Sequence, residues 1–266
     1  MDAADDPVVT DHGFVAADFP AIVAHRGAAS TRPENTLPSF SAALDLGARI
    51  VELDVRCSAD GVPVVMHDPS VERTTDGTGF VHELTAEALG RLHAGSSEHP
   101  AGVPTLAEVL HLVSGRGAVA LEIKNIPGEP AYDAGRESIV EATLEEVERT
   151  RFVGGVLVLS FNPPSIAAAK RIAPQIATGF LTNELVPPGD ALAHAVEMGH
   201  DLVLPGTRSL VPLGEPFVRA AHDAGVLVGT WTVDDPETVR MLLRWKVDAI
   251  ASNDPAMALG VLAQRG

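Results

Sequence analysis

Short, almost unbroken apolar runs recur along the chain with helix-patterned segments between them, and this alternation constrains the fold most. The runs cover residues 21–24, 50–55, 119–123, 156–159, 177–181, 202–204, 226–230 and 249–251. Apolar on consecutive residues rather than every second one, they suit parallel strands covered on both faces. Between them, Leu37, Phe40 and Leu44 stand three and four apart, and Gly47 follows as a helix stop. Similar helical segments cover 106–113, 137–148, 165–172, 191–198, 217–224 and 237–245, with Gly199 and Gly225 placed as C-caps. Eight strands with interleaved helices predict an α/β fold, a closed (β/α)₈ TIM barrel. A doubly wound open sheet is the alternative.

One interval breaks the rhythm. Residues 56–103 are too many for a βα loop, and they contain a further apolar strand at 62–66. Asp60-Gly61 just before it is a hairpin turn signal. The expectation is a small insertion subdomain between the second strand and its helix, with a short helix near 85–92. Residues 1–20 are acidic and aperiodic and read as a tail, which leaves 21–266 as a single barrel domain.

Chemistry concentrates between Ala24 and Asp68. In a parallel barrel the reactive groups sit where strands end and βα loops begin. His25 and Arg26 follow the first run at such a place, with Gly27 to turn the chain. Glu52 and Asp54 are two apart on a strand and so share a face. Glu122 and Lys124 repeat that spacing on the next long strand. Side by side, Glu52, Asp54 and Glu122 converge. Three bare carboxylates so close raise one another's pKa. A hard divalent cation with oxygen ligands, Mg²⁺, Ca²⁺ or Mn²⁺, relieves them; salt bridges to Arg26, Arg56 and Lys124 are the other way to do so. His67 closes the stretch after the extra strand, and two strand-end histidines beside a metal make a general acid/base pair.

The formal net charge of −17 argues against nucleic acid or an anionic bilayer as the partner. No apolar run approaches the ~18 residues of a membrane span, and the N-terminus lacks signal-peptide regions, which predicts a cytoplasmic protein with no stable membrane association. The lone Cys57 excludes an internal disulfide and a cysteine-based metal site.

His25-Arg26-Gly27, Pro33-Glu34-Asn35-Thr36, Glu52-x-Asp54-Val55 and His67-Asp68 resemble the glycerophosphodiester phosphodiesterase family. So do Arg73-Thr74-Thr75-x-Gly77-x-Gly79, Pro104-Thr105-Leu106-x-Glu108-Val109-Leu110, Glu122-Ile123-Lys124 and Trp231-Thr232-Val233. The resemblance spans about residues 21–258. It implies a barrel with an inserted subdomain, hydrolysis of glycerophosphodiesters to glycerol 3-phosphate and an alcohol, and one divalent cation. On the matching positions it implies Glu52, Asp54 and Glu122 as metal ligands and His25 and His67 as acid and base.

A phosphodiester is anionic, so attack needs its non-bridging oxygens neutralised by the metal, Arg26 and Lys124. Glu34 is placed to bind Arg26 or to orient His25, and Asn35 to cap the first helix. Phe161 and Trp231, at later strand ends, are candidates to pack against the glycerol carbons. Two departures border the expected pocket: Asp234 stands where the family often has Asn, and the last strand ends Ser252-Asn253-Asp254-Pro255 rather than in the commoner Thr-Asp pattern. The main reading is hydrolysis of small soluble glycerophosphodiesters. The rivals are a phospholipase D acting on lysophospholipids or sphingomyelin, and a non-catalytic diester-binding barrel.

Overall fold

The computed structural model describes residues 19–264. Most of the acidic stretch expected at the N-terminus, residues 1–18, lies outside them. The order is β1 (Ala21–His25), α1 (Leu37–Asp45), β2 (Ile50–Cys57), β3 (Pro63–Val65), α2 (Ala86–Gly90), α3 (Leu106–Val113), β4 (Ala118–Ile123), α4 (Ser138–Arg149), β5 (Val156–Ser160) and α5 (Pro163–Ile172). It continues with β6 (Ala177–Thr182), α6 (Pro188–Met198), β7 (Leu202–Pro205), α7 (Thr207–Leu210), α8 (Gly214–Asp223), β8 (Leu227–Thr230), α9 (Pro236–Arg244), β9 (Ala249–Ser252) and α10 (Pro255–Ala263). Neighbours run β1-β9-β8-β7-β6-β5-β4-β2, and a parallel β1–β2 pairing closes the circle. The closed barrel is the predicted one, not the open sheet. The sequence reading lacked α7 and α10.

Strand periodicity sets which side chains enter the barrel. Val51, Leu53 and Val55 of β2 point outward into the core shared with the helices. Ile50 lies on the other face, in the apolar plug inside the barrel, so Glu52 and Asp54 share that inner face above it. β4 repeats the division: Val119, Leu121 and Ile123 face out and Ala120 faces in. Parallel register sets Asp54 directly beside Glu122. The inner face is therefore apolar at the bottom and acidic at the C-terminal rim.

The long interval is an excursion from that rim. β3 folds back antiparallel on β2, pairing Val55 with Val65 and Cys57 with Pro63. Gly61 turns the hairpin in the left-handed region at φ 77, its N–H donating to the Ser58 carbonyl at 3.0 Å. Val64, Met66, Val71, Val81, Leu89, Ala94 and Val103 then make a small core of the insertion's own. Thr105 starts α3 with a capping box to Glu108, and the chain rejoins the barrel. No helix among the described residues is long and apolar enough to cross a membrane.

Candidate active site

The C-terminal rim gathers the predicted residues in one place. His25 ends β1, Glu52 and Asp54 lie on β2, His67 follows β3, and Glu122 and Lys124 lie at the end of β4. His25, Arg26, Glu52, His67, Glu122 and Lys124 line one cavity of about 210 Å³. Phe161 and Trp231 line it too. These two rings meet edge to face, centroids 5.3 Å apart, and the Trp231 indole N–H donates to the Leu204 carbonyl at 3.0 Å. Leu157, Leu159, Leu181 and Leu204 make the far wall. One side of the cavity is ionic and the other is apolar.

The turn after β1 is built for close approach. Arg26 is in the left-handed region at φ 56 and Gly27 at φ 86. A Cβ on Gly27 would lie 2.4 Å from Ser39 Oγ, so α1 packs against this turn only because residue 27 is glycine. The same turn aims the Arg26 N–H at Glu52 Oε2, 3.0 Å away. Arg26 Nε lies 3.2 Å from Asp54 Oδ2, and Nη1 donates to Glu34 Oε1 at 2.9 Å. Of the two roles expected for Glu34, the structure has the contact with Arg26. Asn35 does not cap α1. Thr36 is the N-cap, its hydroxyl accepting from Ser39 N. Asn35, at φ 56, turns its side chain inward instead and donates to Asp54 Oδ2 at 2.7 Å.

Ligand oxygens of Glu52, Asp54 and Glu122 lie within 4.8 Å of one another, all three residues buried. Lys124 Nζ sits 2.9 Å from Asp54 Oδ1 and also donates to Glu122. Arg56 takes no part: it pairs with Glu129 at 2.7 Å, against the salt bridge the sequence suggested. Two cations thus face three carboxylates, and Glu52 Oε1 is buried without a hydrogen-bond partner. An all-oxygen, acidic donor set with one orphaned oxygen fits a hard divalent cation. Burial, reinforced by Asp54, pushes Glu52 up to about 8. Burial likewise lifts Glu122 to about 7, with Lys124 opposing and Asp54 and Glu52 adding to the rise. Burial works against ionised Asp54 as well, but Lys124 and Arg26 outweigh it and hold that group below the usual carboxylate range.

Both histidines line the cavity that Glu52 and Glu122 enter. His25 Nε2 is 3.9 Å from Glu52 Oε2. Burial, then Arg26, lowers its pKa; burial, then Lys124, lowers that of His67. His67 Nδ1–H donates to Asp68 Oδ1 at 2.6 Å. Asp68 is gripped by Arg73, whose guanidinium also makes a two-pronged pair with Glu34 at 2.8 and 3.0 Å. Arg56 donates to the His67 carbonyl from Nε at 2.9 Å and from Nη2 at 2.6 Å. Sequence reasoning gave no role to Asp68, Arg73, Glu129, Asp234 or Asn253. Spacing alone does not show that Arg73 and Glu34, 39 residues apart, meet.

A family model described as the glycerophosphoryl diester phosphodiesterase family matches residues 25–257. The chain belongs to that family. A glycerophosphodiester phosphodiesterase of Caldanaerobacter subterraneus subsp. tengcongensis is 34% identical over 251 residues, covering 92% of this chain and 98% of the relative. A phosphodiesterase of Oleispira antarctica, solved in complex with the product sn-glycerol-3-phosphate, superposes with a TM-score of 0.82 at 27% identity, covering 93% of this chain and 98% of that one. A crystal structure of a family member from Silicibacter pomeroyi gives 0.82 at 28% identity, covering 92% and 93%. The chain is accordingly an enzyme of the family, and hydrolysis of glycerophosphodiesters is its class of reaction.

Proposed function

We propose that the protein hydrolyses small glycerophosphodiesters to glycerol 3-phosphate and an alcohol, with one divalent cation and the two histidines as acid and base. The observation that carries this is the buried Glu52–Asp54–Glu122 cluster, two of whose acids, Glu52 and Glu122, line the same cavity as His25 and His67. The three carboxylates would hold the cation, which supplies Lewis-acid polarisation of the phosphate when bound. Arg26 and Lys124 balance the diester's charge from the cavity wall, Arg26 as a planar fork and Lys124 as a compact charge. One histidine takes the proton from the nucleophile, water or the glycerol 2-hydroxyl, and the other returns one to the leaving alkoxide oxygen. Glu34 fixes the direction of Arg26. Phe161 and Trp231 offer an apolar face for the carbon skeleton of the glycerol. The glycerol 3-phosphate bound by the Oleispira antarctica enzyme is the product this reading requires.

Purified protein with Mg²⁺, Ca²⁺ or Mn²⁺ should release glycerol 3-phosphate from glycerophosphocholine or glycerophosphoethanolamine. EDTA should stop the release and added metal restore it. Folded, metal-loaded protein that hydrolyses none of a panel of glycerophosphodiesters would overturn the reading. With lysophospholipid and sphingomyelin assayed beside that panel, a clear preference for either would move the protein to the phospholipase D rival.

A further inference from the structure

Behind His25, away from the carboxylate cluster, lies a contact that the reaction scheme does not use. His25 Nδ1 is 2.8 Å from Asn253 Oδ1. The Asn253 side-chain amide donates to Asp234 Oδ2 at 2.7 Å, and its backbone N–H donates to Asp234 Oδ1 at 2.8 Å. The Ser252 hydroxyl donates to the same Oδ1 at 3.1 Å. Asp234 is one of the two departures from the family pattern and Asn253 lies within the other, the strand end at 252–255; in the fold they touch.

A carboxylate only accepts hydrogen bonds, so Asp234 fixes which end of the Asn253 amide faces it: the nitrogen. The amide oxygen is then the end left for His25. An oxygen acceptor at 2.8 Å requires the proton on Nδ1, and the neutral ring is left with its lone pair on Nε2, on the side of Glu52. We propose that Asp234, acting through Asn253, sets the tautomer of His25 and so makes Nε2 the atom that moves a proton. Both are positioning residues. The inference rests on the reaction proposed above, but its first test does not depend on turnover.

Replacing Asp234 by Asn keeps the shape and reverses the logic. The new side-chain oxygen still accepts from Asn253 N and Ser252 Oγ, so the new NH₂ falls opposite the Asn253 NH₂. Two donors cannot pair, so Asn253 turns over and presents its nitrogen to His25. The ring must then accept at Nδ1 and carry its proton on Nε2. In Asp234→Asn, ¹⁵N NMR of the neutral imidazole should therefore show His25 switched from the Nδ1–H to the Nε2–H form. kcat on glycerophosphocholine should fall by about 10²–10⁴-fold, as for a lost acid/base group, with KM little changed. The double variant Asp234→Asn/Asn253→Asp restores an acceptor to His25 and a donor–acceptor pair behind it, and should return the Nδ1–H signature. Metal affinity, measured by titration calorimetry, should be the same in all three proteins. An Asp234→Asn protein that keeps the Nδ1–H signature overturns the proposal. So does a switched tautomer with undiminished kcat. If wild-type protein hydrolyses no glycerophosphodiester, the proposed function fails while the tautomer result stands on its own.

Discussion

At the scale of the residue, the cavity sets two histidines against one acidic centre, each with a different partner behind it: a neutral amide for His25 and a carboxylate for His67. Both rings are needed if one takes a proton and the other gives one. His25→Ala and His67→Ala should each lower kcat by roughly 10²–10⁴-fold without altering metal affinity or the melting transition. Near-normal turnover in either would remove that ring from the chemistry. These histidines and the three acids were legible in the sequence, because strand ends and a period of two place them whatever the rest of the chain does. Their partners were not. Asn35 has the composition of a helix cap, yet Thr36 takes that role and Asn35 turns to Asp54. Nothing in local spacing reports a bond between residues whose loops meet only when the barrel closes, as with His25 and Asn253.

At the scale of the element, β2 and its hairpin partner β3 organise the rim. β2 is the longest strand among the described residues, with Glu52 and Asp54 beside β4 and its last residues paired to β3. The hairpin brings His67 back over the acids, and the Asp60-Gly61 signal predicted that return. What holds His67 there is Arg56, whose guanidinium is buried, braced by Glu129 and bonded twice to the His67 carbonyl. The salt-bridge alternative in the sequence paired Arg56 with the acids; it shares their parity on β2, but it stands at the strand's end, and its guanidinium meets Glu129 and the His67 carbonyl instead. Arg56→Met keeps the aliphatic stem and removes both bonds. Since displacement of a reacting group by about 1 Å can cost about 10²-fold, kcat should fall by that order while metal affinity holds. Steady-state kinetics with a parallel metal titration measure it, and an unchanged kcat would show that the insertion holds His67 without Arg56.

At the scale of the molecule, the barrel carries an acidic centre that works against its own stability when no cation is bound. Glu52 and Glu122 titrate at about 8 and about 7 in the folded chain, against 4.5 for an unperturbed glutamate. The folded chain therefore holds more protons than the unfolded one across that interval, and stability present below pH 4.5 is lost as the pH rises toward 8. His200 acts in the opposite sense at lower pH. Burial, then His194, depresses it from 6.5 to about 4, so its contribution is present above pH 6.5 and lost as the pH falls through about 4. A divalent cation reverses the first trend, because the acids that hold it must be ionised and its affinity rises with pH. At a concentration a hundred times Kd it adds about 2.7 kcal/mol. Calorimetric melting with EDTA should show Tm falling from about pH 6 to about pH 8.5, and with saturating metal the gap between the two curves should widen over the same range. The net charge of −17 also disfavours the compact state as pH rises, so Tm alone does not isolate the site. Glu52→Gln separates the two effects. It changes the overall charge by only one unit, yet it should flatten much of the metal-free decline and abolish the metal response. A metal shift that is the same at both pH values, or that survives in Glu52→Gln, would mean that the cation is held somewhere other than by these three acids.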